Sequence, residues 1–249
     1  MRAFDYSSAP YEIRPDLPEA YRRTWDWLAG PGSWWTGAAR VAIAAASRDA
    51  RACALCAERK RALSPEAGIG THAGEGDLLP AEAIDAVHRL VSDPSRLSRG
   101  WLEKLVAVGR VSDGHYVELL GIVVSVVSID AFHRALGLPL EPLPGPRVGD
   151  PTGYRPAAAV SGVGWVPMIP AGQAKGCDAD IYPARVAPNV LRAMSLVPDC
   201  VRQLRSLATA QYVPLLQVPD PHADPGRAIS RMQIELVAAR VSAVSECFY

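Results

Sequence analysis

The sequence predicts an all-α protein, and three observations predict it. Alanine-rich stretches of strong helix propensity recur along the chain, as in "GAARVAIAAASRDA". Glycine or proline follows most of them as a stop signal. The one β-branched run, inside "SDGHYVELLGIVVSVVSIDAFHRALG", is too long for an ordinary strand and ends in glycine and then proline.

Taken in order, Met1 to Pro18 is rich in proline and tyrosine and is expected to wrap the surface. Leu17 to Gly30 reads as a helix closed by glycine, and Trp34 to Leu63 as a long alanine-rich helix with Pro65 just beyond. A glycine-rich loop, "EAGIGTHAGEGD", separates it from helices at Leu79–Asp93 and Ser95–Gly109, the latter with Ser98 as N-cap. Ser112 to Gly137 is the most apolar helix. Glu118, Gly121, Ser125 and Ser128 give it a narrow face of small and polar residues that lets another helix approach closely. Pro139 to Pro188 is dense in proline and glycine and reads as a surface linker. Helix returns from Asn189, breaks near Pro198, and resumes after Ser230, an N-cap candidate.

With 249 residues the chain has room for one large domain or two small ones. Hydrophobic residues at 49% and charged residues at 21% fit a globular core. A formal net charge of zero argues against nucleic acid or an anionic membrane as partner. The first residues contain no apolar signal-peptide region. The apolar run Leu119–Ile129 has eleven residues, too few to span a bilayer. The expected compartment is the reducing cytoplasm, where five cysteines read as free or redox-active thiols.

"CALC" carries the chemistry. A helix would place the Cys53 and Cys56 thiols on one face, close enough to bridge, with Arg51, Arg59 and Lys60 supplying positive charge that favours a thiolate. The plain alternative is two small buried residues in an alanine-rich helix. No metal or other cofactor is expected, because no second pair of Cys or His sits at ligand spacing. Cys177 and Cys200 have no partner spacing and are read as incidental.

The last stretch, "RMQIELVAARVSAVSECFY", aligns with "GAARVAIAAASRDARACALC" so that Cys247 matches Cys53. In that register the residue after Tyr249 would match Cys56. The reading frame is therefore expected to continue, with a selenocysteine codon as one cause of the stop and a frameshift, nonsense mutation or shortened chain as the others.

These motifs resemble the alkylhydroperoxidase AhpD-like / carboxymuconolactone decarboxylase superfamily. Its peroxidase members carry a glutamate, eleven residues, then C-x-x-C-x-x-x-H; here Glu235 precedes Cys247 by that interval. "YVELLGIVVSVVSIDAFHRALGLPL" is similar to the family's descent into its closing loop. The resemblance implies an AhpD-like helical domain at 1–140, a Pro/Gly-rich linker at 141–188 and a partial second AhpD-like domain at 189–249. It implies a thiol-dependent oxidoreductase that reduces hydroperoxides, with Cys56 attacking, Cys53 resolving, and a separate dithiol as reductant. Cys247 and Glu235 would be the second copy's site residues, and a homo-oligomer is expected.

The chain departs from the pattern at both copies. Val41 stands where the first copy needs the glutamate, and Lys60 where it needs the histidine. Lys60 could lower a thiol pKa but could not, as an ammonium, accept its proton. Glu118 with His115, or His88, could replace the relay from a neighbouring helix. Two other readings stay open: a non-catalytic helical scaffold or oligomerisation module, and the decarboxylase branch of the same superfamily.

Overall fold

Leu119 to Ile129, the run that could have been a strand, is helix, and it lies at the centre of the molecule. The computed structural model describes residues 3–64, 66–68, 70–72, 77–182, 187–224, 226–245 and 247. Among them the regular elements are helices and the only β pairing is one isolated bridge, Val160 to Met168. The all-α expectation holds at that level.

Among the described residues nine α-helices follow one another: α1 (Asp16–Ala29), α2 (Gly37–Asp49), α3 (Ala54–Arg61), α4 (Ala81–Ser92), α5 (Arg99–Ala107), α6 (Asp113–Ala135), α7 (Asn189–Arg192), α8 (Pro198–Gln211) and α9 (Arg231–Val244). Their starts follow local chemistry. Ser98 and Ser112 accept from the backbone N–H of Trp101 and His115, and Ser230 forms a capping box with Gln233. Thr36 caps α2 in the same way through Ala39 N–H.

Around α6 pack α2, α4 and α8, and α1 closes over α2 and α8. Ile43, Val87, Leu119, Ile122 and Val201 share one core. The small-residue face of α6 is used as its composition suggests: Gly121 lies so close to Cys200 of α8 that an added Cβ would stand 2.7 Å from the sulfur. Cys200 is thus a fully buried packing residue.

Two ion pairs fix α2 on α6. Arg40 faces Glu118 at 3.4 Å, both fully buried, and Glu118 also accepts from Trp34 N–H while Arg40 donates to the Gly30 carbonyl. Nearer the C-terminus of α2, Arg48 makes two 2.9 Å bonds to Asp130 and a third to the Glu141 carbonyl.

Two expectations need correction. The described residues of segment 141–188 are largely irregular, but they are no simple surface linker: Val166, Ile169, Ile181 and Tyr182 are buried and join the core of α2, α4 and α6, and Met168 is buried too. Leu196, Val197, Cys200 and Val201 join it too, so one core runs through residues on both sides of that segment. Secondly, the apolar run belongs to a helix of 23 residues, long and apolar enough by length and composition to cross a membrane; most of it is buried against the other helices. The final Glu246, Phe248 and Tyr249, part of the terminal repeat, lie outside the described residues.

Gly121→Ala is expected to lower stability by about 1–3 kcal/mol, since Cys200 and Met194 cannot both move aside in a packed core. Gly100→Ala in α5, with open space around its Cβ, is expected to be neutral or to stabilise by up to about 1 kcal/mol. Urea denaturation of the two variants checks the contrast.

Candidate functional site

The long helix expected over Trp34–Leu63 does not run through. It stops at Asp49, tightens into a single 3-10 turn at Ala50–Ala52, and restarts as α3. Alanine propensity favours continuation, but the turn is packed against α4, and tertiary contact overrides a weak local preference. Cys53 therefore does not sit within a helix. It has extended backbone (φ −71°, ψ 120°) and is the N-cap of α3, while Cys56 lies in the first turn. Both thiols are buried.

Two histidines meet them. His88 lies on the inward face of α4, one turn after Ile84 and next to Val87. Its Nδ1 is 3.3 Å from Cys56 Sγ. His72, in the connection between α3 and α4, is also buried, and its Nδ1 is 3.7 Å from the sulfur of Cys53 and 3.7 Å from that of Cys56. The two imidazoles stack with centroids 4.2 Å apart. All four sulfur and nitrogen atoms lie within 4.8 Å of one another.

Asp85 of α4 orients the cluster. Its Oδ1 accepts from His72 Nε2 at 2.9 Å and from Arg59 of α3 at 2.5 Å, and Oδ2 accepts from Arg89 at 2.7 Å. Because the carboxylate takes the proton-bearing Nε2, the Nδ1 lone pair of His72 is aimed at the sulfurs. The 3.2 Å approach of Arg59 to the same ring nitrogen is two donors converging on one oxygen. Arg96 closes the far end of α3 by donating to the carbonyls of Arg59 and Ala62.

The electrostatics pull in two directions. Burial pushes the Cys56 thiol up to about 11, with Cys53 beside it adding to the rise. The start of α3 favours a thiolate, but burial outweighs it. Burial also works against the Asp85 carboxylate, yet the bonds from His72, Arg89 and Arg59 win and hold it well below the usual carboxylate range. Burial likewise opposes a charged His72, and Asp85 together with Cys53 more than compensates, so its pKa is raised.

The other residues expected at a site are engaged elsewhere. Lys60 is exposed on α3. Glu118 is spent on Arg40 and Trp34. His115 bonds Ser112 and packs on Trp34 and Trp35. Glu235 bonds Tyr212 and Arg231, and Cys247 is exposed and stands outside the Cys–His cluster. His88 is the one alternative relay residue that reaches the thiols. His72 and Asp85 were missed. The ground for expecting no metal also falls: the missing second ligand pair exists, drawn from a loop and a helix rather than from one short motif. Comparison of the chain with protein-family models, curated proteins and solved structures finds no significant match.

Asp85→Asn is expected to destabilise the fold by roughly 2 kcal/mol at about pH 7, where its charged hydrogen bonds are intact. A carboxyl depressed in the folded state contributes stability that is fully present above its unfolded value of 3.8 and is lost as pH falls through the lower folded value. The gap between variant and wild type in urea denaturation should therefore narrow in acid; a constant gap would contradict the assignment.

Proposed function

We propose that Cys53 and Cys56 form a dithiol redox centre, and that the protein is a thiol-dependent oxidoreductase of the hydroperoxidase type. The supporting observation is the 3.3 Å contact between Cys56 Sγ and His88 Nδ1, which supplies from α4 the proton acceptor that Lys60 cannot be. The AhpD-like resemblance of the CxxC region belongs to the same proposal.

His88 takes the Cys56 proton, and the thiolate attacks the distal oxygen of the hydroperoxide. The O–O bond breaks; the alkoxide leaves and recovers a proton from the imidazolium, giving an alcohol and a sulfenic acid on Cys56. Cys53 then attacks that sulfur, its own proton passing to the departing hydroxide, so water is lost and the disulfide forms. An external dithiol exchanges with the disulfide and restores both thiols. His72, fixed by Asp85, turns its Nδ1 lone pair to both sulfurs and relays the Cys53 proton to that hydroxide. Burial of both sulfurs restricts the substrate to small hydroperoxides.

A non-catalytic helical scaffold is the second reading, favoured by that same burial and by the high Cys56 pKa. Thiol titration separates the two. Chelator-treated, reduced protein is exposed to a small excess of hydrogen peroxide and its thiols are counted after denaturation. The redox reading expects two thiols lost together, a Cys53–Cys56 disulfide by mass spectrometry, and oxidation slowed roughly 100-fold in His88→Asn. Thiols that react only in the denatured chain would establish the scaffold.

A further inference from the structure

The four ligand-bearing atoms converge on one point, with a spacing that also suits a central ion. A zinc ion bound by two thiolates at about 2.3 Å and two imidazoles at about 2.0 Å, in tetrahedral array, sets sulfur–nitrogen edges of about 3.6 Å. Three of the four sulfur–nitrogen separations here are 3.7, 3.7 and 3.3 Å, and the fourth, Cys53 to His88, is within 4.8 Å. A single nitrogen equidistant from two sulfurs is the arrangement of one vertex facing two others. His72 Nδ1 offers one lone pair to two thiols, whereas a central ion uses that lone pair and one from each sulfur at once.

We infer that Cys53, Cys56, His72 and His88 form a tetrahedral site for a borderline divalent cation, zinc by preference, in the reduced protein, and that metal and the Cys53–Cys56 disulfide exclude each other. Three further features fit. The donor set is two sulfurs and two nitrogens, which selects zinc over the hard cations magnesium and calcium. Two thiolates balance a divalent charge, so the loaded centre is neutral, as a buried site requires. The outer sphere is built: Asp85 accepts from the far nitrogen of His72, and Arg59 and Arg89 hold Asp85 in turn. All four ligands are buried, which separates this group from solvated acidic clusters.

The exclusion rests on the dithiol reading above; the metal site itself does not. When a hydroperoxide oxidises the pair, two thiolates give up two electrons to the O–O bond. One disulfide forms, and with two protons from solvent the oxidant leaves as alcohol and water. The ion loses both sulfur ligands and is released unchanged in oxidation state. Bound zinc would thereby hold the thiols in reserve, and its release would report oxidation.

Cobalt(II) is the probe, added to reduced, metal-free full-length protein, with zinc in competition. The expected result is one ion per chain, the intense visible bands of tetrahedral cobalt, a sulfur-to-cobalt charge-transfer band, and displacement by zinc. Cys56→Ser should weaken the charge-transfer band by about half, and His72→Ala should abolish tetrahedral binding. Since His72→Ala removes a buried ring, Asp85→Asn serves as the milder variant, with circular dichroism confirming its helices; it should weaken binding roughly 10–100-fold. A pale octahedral spectrum, or tetrahedral bands that survive both His72→Ala and Asp85→Asn unchanged, would overturn the site. Peroxide should bleach the cobalt bands as the disulfide appears. Tetrahedral cobalt with peroxide-resistant thiols in the metal-free protein would keep the site and refute the redox reading. A disulfide without any tetrahedral cobalt would refute the site and keep the redox reading.

Discussion

Asp85 is one carboxylate with three partners, and the arrangement of the Cys–His cluster depends on it. Arg59 brings α3 to it, His72 brings the connecting segment, and Arg89 steadies it from one turn along α4. Each of these groups is at least partly removed from water, so each bond counts for more than it would on the surface. Without the carboxylate, two guanidinium groups would face each other beside an imidazole of undefined tautomer. With it, the positive charges are matched and one lone pair is directed at two sulfurs.

A second buried pair shows the contrast between structural and chemical use of a charge. Glu118 resembles a relay residue by sequence, lying on an apolar helix near small side chains. Burial pushes its carboxyl up and the Arg40 guanidinium down, and each is offset by the other. Glu118 accepts from Trp34 N–H, and Arg40 also lies 4.0 Å over the Trp27 ring. The pair joins α2 to α6 and the turn before α2. Removing either partner would strand the other in the core, which explains the presence of a carboxylate there without any catalytic demand.

Much of the fold could be read locally. Ser98 and Ser230 were legible as caps because a hydroxyl beside a helix start satisfies its nearest N–H whatever the rest of the chain does. The break before Cys53 was not legible, because alanine favours helix on both sides and only packing against α4 stops it. Nor was the burial of Ile169 and Ile181, since proline and glycine density describes the backbone and not what covers it. Half of the cluster was visible as CxxC. His88 was named as a replacement for the missing relay from a neighbouring helix. His72 and Asp85 carry no periodic or motif signature; sixteen-residue intervals from Cys56 to His72 and on to His88 match no short ligand pattern. The one available hint was Asp85 four residues before Arg89, which predicts a helix pair but not its third and fourth members.

The central claim is that two histidines distant in sequence hold their Nδ1 atoms on the CxxC sulfurs. Long-range proton–nitrogen NMR of the imidazole rings tests it most directly, in metal-free protein above the histidine titration range, first reduced and then with Cys53 and Cys56 oxidised or alkylated. The account predicts that His72 is protonated at Nε2 with a bare Nδ1, and that the ring nitrogens of both His72 and His88 shift when the thiols change state. Protonation of His72 at Nδ1, with both rings indifferent to the thiols, would contradict it.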